Sequence, residues 1–294
     1  MRLAAGSLLV KFACIEAHRY FLQPADLDLL AMLIQDPVVE VRTKFLEIVI
    51  ASLSTDDLPP HYIILLPIVA FDPDDEMVAN AKSYIARKLK QQQSSSETED
   101  LVEHSIVRLI HLLSHHPDFD NDVATVKSFE TYLDFYLDLV CTSINVSYLY
   151  RAAGELKVVK DKFTESSDPL YVIGELAQLS IQRRCATHGW LLQTYSGHIA
   201  FSKELFERLP RDEAAKVTKT SYLHASFYEK KKAEPRHSLA ASHGTSTKSR
   251  IRKDRNVVDS DENGNYEPPS SPQSKNATSR GTRSKRVLGE KQVG

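Results

Sequence analysis

Asp36-Pro37-Val38-Val39-Glu40-Val41-Arg42 returns 36 positions later as Asp72-Pro73-Asp74-Asp75-Glu76-Met77-Val78. A period of that size matches one antiparallel pair of helices. In each copy the Asp-Pro closes one helix and opens the next, because proline's missing N–H costs nothing in a first turn. Leu27, Leu30, Leu33 and Ile34 form one apolar face before the first Asp-Pro, and Val38, Val41, Phe45, Ile48, Val49 and Ser52 form another after it. The second copy reads the same way, with residues 62–71 kinked at Pro67 and then Met77, Val78, Ala81, Ile85 and Leu89.

Outward from this core the pattern persists. Residues 3–20 read as the second helix of an earlier pair whose partner is missing, leaving Leu8, Leu9, Phe12 and Ile15 without a neighbour. A polar loop at 91–96 precedes an Asp100/Glu103 capping box and a helix carrying Val102, Ile106, Leu109, Leu112 and Leu113. After Pro117 a third pair begins, through Val123, Val126, Phe129, Leu133, Tyr136, Leu137 and Val140. A fourth places Leu149, Ala152, Leu156, Val159 and Phe163 on one helix and, from Asp168-Pro169, Leu170, Ile173, Leu176, Ala177 and Ile181 on the next. No segment sustains period-two alternation. The predicted fold is all-α, a HEAT-repeat α-solenoid of stacked helix pairs.

Composition excludes several function classes. No glycine occurs between Gly6 and Gly154, so the first half holds neither a glycine-rich phosphate loop nor tight primed hairpin turns. Cys14, Cys141 and Cys185 lie far apart without a C-x-x-C, which predicts a reducing compartment, no disulfide framework and no cysteine zinc site. No apolar run reaches the length of a spanning helix and no long secretory signal is evident, so a soluble chain with no membrane partner is expected. The net charge of −2 conceals an asymmetry, since residues 230–294 hold 15 of the 37 basic side chains but 7 of the 39 acidic ones. That tail is +8 and the rest −10. Its Ser, Lys, Arg, Pro and Asn cannot bury enough apolar surface to offset backbone ordering. The expected organisation is a repeat body with an extended closing segment over 1–210 and a mostly disordered basic tail over 211–294.

Several constellations compete with plain structural readings. Asp118, Asp120 and Asp122 copy the first ligands of a calcium loop, but Val123 stands where the sharp-turn glycine belongs and Phe129 where the bidentate Glu belongs. Helix capping by dipole-favoured acids is the better reading of His115 to Asp122, and no metal or cofactor ligand is assigned. No G-x-S-x-G or H-E-x-x-H orders the Ser, His and Asp residues, so no catalytic residue and no enzymatic activity are expected. Asp36, Pro37, Arg42, Asp72 and Pro73 are read as structural repeat turns, in which Asp and Arg bridge adjacent repeats. Phe129, Tyr132, Phe135 and Tyr136, at helical spacing, are read as core. In the tail, Lys248, Arg250, Arg252, Lys253 and Arg255 form one basic cluster and Arg283, Lys285 and Arg286 another, suited to nuclear import or weak nonspecific DNA binding. Ser260, before two acids, and Ser271, before Pro272, are candidate phosphoacceptors.

The residues also carry a resemblance. Arg2-Leu3-Ala4-Ala5 entering a helix, residues 27–42 with their Asp-Pro turn, and Leu109-x-x-Leu112-Leu113-Ser114-His115-His116-Pro117-Asp118 resemble the C-terminal repeats of the precocious-dissociation-of-sisters family of cohesin-associated cohesion regulators. Residues 170–181, then Gly189-Trp190 through Tyr195-Ser196-Gly197 and Glu204-Leu205-Phe206, are similar to that family's closing segment, most like fungal members. The resemblance covers residues 2 to about 210. It implies a nuclear, chromatin-associated scaffold that binds the kleisin subunit of cohesin and cooperates with the release factor, the cohesion-protecting factor and the acetyltransferase. Because family members are several times longer, it also implies a piece of a longer protein, and it transfers no partner-contact residue. The competing expectation is a generic helical-repeat adaptor with an unrelated transport or signalling partner.

Overall fold

Among the described residues, the apolar stripes of the helices over residues 24–188 pack on one another to form the core. The computed structural model describes residues 1–94 and 102–229. Helix α1 (Arg2–Cys14) and the four-residue α2 (Glu16–Arg19) lead into the pair α3 (Pro24–Ile34) and α4 (Val39–Ser54). A run of 3-10 turns, Pro60–Phe71, stands first in the next pair, and α5 (Asp75–Ser94) stands second. After the short 3-10 turn Val102–Ser105 come α6 (Ile106–Ser114), α7 (Val123–Val140), α8 (Val146–Glu155) and α9 (Asp168–His188). Strand β1 (Val159–Asp161), between α8 and α9, pairs antiparallel with β2 (Phe206–Arg208), and α10 (Arg211–Lys219) follows. The architecture is an all-α solenoid carrying one small two-stranded antiparallel sheet.

Local chemistry sets the boundaries. Pro24 opens α3, and the Gln23 N–H donates to Asp26 Oδ2 at 2.7 Å. Asp122 opens α7, its Oδ1 accepting from the N–H groups of Ala124 at 2.8 Å and Thr125 at 3.1 Å. Gly189 ends α9 at φ 69°, a left-handed conformation that a Cβ would strain, and the Trp190 N–H closes onto Cys185 O at 3.0 Å. Gly6 serves closeness instead: a Cβ there would meet Leu33 Cδ1 at 2.2 Å, so α1 and α3 touch at this point. On α1, Gly6, Val10 and Ala13 are buried, while Leu8, Phe12 and Ile15 face outward.

The structure departs from the sequence expectations at six places. The single helix expected over 3–20 is broken at Ile15, whose backbone is extended, into α1 and α2. Val38 is exposed ahead of α4, whose buried face is Arg42, Phe45, Leu46, Val49 and Leu53, rotated from the expected stripe. Residues 60–71 form 3-10 turns throughout, not an α-helix kinked at Pro67; Ile63 to Val69 are all buried, so no apolar period specifies an α-helical face. Helix α5 runs on to Ser94 through the expected polar loop, and Asp100 lies outside the described residues. The helix expected over 149–163 stops at Glu155, a single 3-10 turn follows over Leu156–Val158, the β-branched Val159 opens β1, and Phe163 is exposed. Finally, the ordered chain passes residue 210: α10 follows, and Leu223 and Phe227 are buried. These two apolar anchors are too sparse to register as periodicity. The tail clusters from Lys248 to Arg286, with Ser260 and Ser271, lie outside the described residues.

Candidate functional site

The two Asp-Pro turns have the same geometry. Asp36 Oδ1 accepts from the Val38 N–H at 2.9 Å, and Asp72 Oδ1 accepts from the Asp74 N–H at 2.8 Å. Proline supplies no N–H in between, so the carboxylate reaches two residues on. Each aspartate also meets an arginine from the preceding helical layer: Arg2 Nη2 donates to Asp36 Oδ1 at 2.9 Å, and Arg42 Nε lies 2.6 Å from Asp72 Oδ2. Arg42 reaches back as well, with Nη1 3.4 Å from Asp36 O. The hydrogen bonds from Arg2 hold the Asp36 carboxyl below the usual carboxylate range. Val78 stands where a further arginine would continue the series.

At the third turn a histidine takes the aspartate's place. His116 Nδ1 accepts from the Asp118 N–H at 3.2 Å, so the proton sits on Nε2, which donates to Gln35 Oε1 at 2.7 Å. Gln35 Nε2 in turn donates to the Tyr132 hydroxyl at 2.6 Å. Burial pushes the His116 imidazole below its usual range, in agreement with this neutral tautomer. Its neighbour His115 points elsewhere, with Nε2 2.7 Å from Asp161 Oδ2. His111 joins the same carboxylate from one turn earlier, with Nε2 at 3.3 Å. Burial raises the Asp161 pKa, and the two imidazoles lower it by more, leaving the carboxyl below its usual range. Phe129, Tyr132, Phe135 and Tyr136 are all buried, with the Tyr136 hydroxyl donating to Val102 O at 2.6 Å.

The segment after α9 folds back over the body and makes the principal concavity. Ile199, Leu205 and Phe206 anchor its first part. Glu175 of α9 anchors its last, accepting from the Tyr222 N–H at 3.0 Å and the Leu223 N–H at 2.7 Å and pairing with Lys157. Between this segment and the 3-10 run lies a cavity of about 740 Å³ that His61, Lys88, His104, Arg108, Tyr148, Tyr195 and Lys203 help to line. Burial and the guanidinium groups of Arg108 and Arg19 push the His61 imidazole down to about 3. Burial likewise lowers the Arg108 pKa. Asp56, paired with Lys88 at 2.7 Å, and Glu204 line it too, so the cavity mixes basic, acidic and aromatic side chains, a chemistry suited to a polar or aromatic-bearing peptide. Sequence spacing revealed neither this cavity nor Glu175. The i, i+4 spacing of His111 and His115 was the one visible clue to their cluster.

Stacked helical pairs tied through Asp-Pro turns, with an enclosing C-terminal strap, define a HEAT-type repeat scaffold. The sister chromatid cohesion protein PDS5 family matches residues 1–207, and the chain belongs to that family. It is 28% identical over 219 residues to sister chromatid cohesion protein pds5 of Schizosaccharomyces pombe, covering 74% of this chain and 18% of that protein. With PDS5 of Saccharomyces cerevisiae the identity is 25% over 258 residues, 78% of this chain and 20% of the relative. With human PDS5 homolog A it is 26% over 204 residues, 63% of this chain and 15% of the relative. The chain therefore spans about a fifth or less of the length of these relatives.

Proposed function

We propose that this chain acts in sister-chromatid cohesion as a non-enzymatic binding scaffold that associates with the cohesin complex through its kleisin subunit, in the nucleus and on chromatin. The observation that carries the reading is the family match, which runs through the whole repeat body to residue 207. The geometry supports binding: the strap leaves a concavity of about 740 Å³ whose lining mixes basic, acidic and aromatic side chains. Tagged full-length chain is to be purified from dividing cells and its partners identified by mass spectrometry. Cohesin subunits should dominate; their absence, with one unrelated transport or signalling complex in their place, would establish the generic-adaptor alternative. The repeat-turn residues Asp36, Pro37, Arg42, Asp72 and Pro73 serve the stacking of this scaffold. The basic tail adds nuclear import and weak DNA affinity, reduced by phosphorylation at Ser260 and Ser271. Engagement of four duplex phosphates would give a slope of about −3.6 in log affinity against log salt. Equal DNA binding by residues 1–229 alone would remove the tail from this account.

A further inference from the structure

His111 and His115 stand four residues apart on α6, so both imidazoles leave the same face of the helix. Pairing of β1 with β2 sets Asp161 opposite Phe206 and carries its carboxylate to that face. One donor atom from each residue can be chosen so that all three lie within 4.8 Å of one another. Asp161 Oδ1 is already committed, accepting from the Phe163 N–H at 2.8 Å, and Oδ2 alone faces the two rings. That oxygen serves His115. His111 Nε2 lies 3.3 Å from it and has no hydrogen bond among the described residues, although its side chain is only 6% exposed. A buried polar nitrogen in that condition is destabilising until it finds a partner. Two imidazole nitrogens and a carboxylate oxygen therefore converge, with one of the nitrogens unpartnered among the described residues.

We propose that His111 Nε2, His115 Nε2 and Asp161 Oδ2 bind a zinc ion that fastens α6 to β1. Two imidazoles and one carboxylate are a borderline donor set of the kind zinc takes, with ligand distances of about 2.0–2.2 Å. A tetrahedral ion at those distances separates its ligand atoms by about 3.3 Å. The Asp161–His111 separation has that value already, and the 2.7 Å between Asp161 and His115 would have to widen by about 0.6 Å. An outer carboxylate is in place: Asp28 Oδ2 of α3 stands 4.0 Å from the other ring nitrogen of His115, where it would orient the imidazole. Phe206 and Phe163 meet the His111 ring edge-on, at centroid distances of 5.4 and 6.4 Å, and wall the cluster. The fourth coordination position opens on a cavity of about 440 Å³ lined in part by Asp28, His111 and Phe163, from which water can enter. The ion would hold together three elements distant in sequence, α3, α6 and β1.

The test uses the full chain, stripped with a chelator and then titrated with zinc chloride alone. Equilibrium dialysis should give one zinc equivalent that is lost from His115→Gln and from Asp161→Asn, and cobalt(II) substitution should give the visible absorption of a four-coordinate ion. Zinc should raise the thermal midpoint of the parent chain but not that of either variant. Asp28→Asn, which removes no ligand, should weaken zinc binding by about 10–100-fold. It decides the question even where a ligand variant fails to fold. The proposal is overturned if the parent chain retains no zinc, or if all three variants bind it as tightly as the parent. The second result would place the metal on histidines elsewhere in the chain.

Discussion

The two Asp-Pro turns show how one side chain serves local and long-range order at once. Asp72 caps its own turn through Oδ1 and receives Arg42 through Oδ2, in a pair whose side chains are only 4% and 11% exposed. Removing the guanidinium leaves an uncompensated buried charge, so Arg42→Ala should cost about 3–5 kcal/mol in urea unfolding of the full chain. Adding Asp72→Asn to Arg42→Met should recover most of that loss, because no charge remains buried and the amide oxygen still accepts from Asp74. The Lys88–Asp56 pair is the contrast: Asp56 is 67% exposed, and Lys88→Ala should change stability by no more than about 1 kcal/mol. His61 makes a pH prediction of definite sign. Its folded pKa is lowered from 6.5 to about 3, with burial as the first cause and Arg108 and Arg19 after it. As pH falls through that window the unfolded chain gains a proton that the folded chain refuses, so stability declines on acidification. Thermal midpoints at pH 7 and pH 5 should differ less in His61→Gln than in the parent chain; an unchanged difference would mean that His61 titrates normally.

Elements in this molecule are held by residues far away in sequence, and Glu175 is the clearest case. From α9 it holds the 222–223 backbone and Lys157, so it couples the last helix of the array to the strap that closes over it. Glu175→Gln should leave α9 intact, speed amide exchange at Tyr222 and Leu223, and hasten tryptic cleavage after Lys219. Exchange as slow as in the parent would show that burial of Leu223 and Phe227 suffices to hold the strap. The same distinction explains what the sequence could reveal. Asp36 and Asp72 were legible because an Asp-Pro turn and its cap are local, as is the Asp168-Pro169 start of α9, and α7 because its stripe has a helical period. The 3-10 run was not, since residues buried on every side carry no period. Nor could β1 be foreseen, because its partner strand is found some 40 residues on and only the fold brings it back. His115 and Asp161, 46 residues apart, and Glu175 and Leu223, 48 apart, meet for the same reason. The body's extension beyond 210 follows from such contacts, which apolar density does not register.

At the scale of the whole molecule, α1 differs from an ordinary terminal helix. An end helix of a repeat array normally turns a polar face outward, because its outer side has no neighbouring repeat to bury it. Here Gly6, Val10 and Ala13 pack inward at i, i+4 and i+7, while Leu8 and Phe12, four residues apart on the outer side, and Ile15 just past the helix end are exposed. Both faces are those of an interior helix. Such a surface gains stability by leaving water at about 25 cal/mol per Å² of apolar area buried, so at high concentration a second copy is the nearest available cover. The full chain should therefore show concentration-dependent self-association in sedimentation, and Leu8→Glu with Phe12→Glu should abolish it. Both side chains already face solvent, so far-UV dichroism and the thermal midpoint of the dilute protein should stay close to those of the parent. Association that survives the double substitution would place the contact on another surface, and a parent chain monomeric at every concentration would show that α1's outer face does not drive pairing.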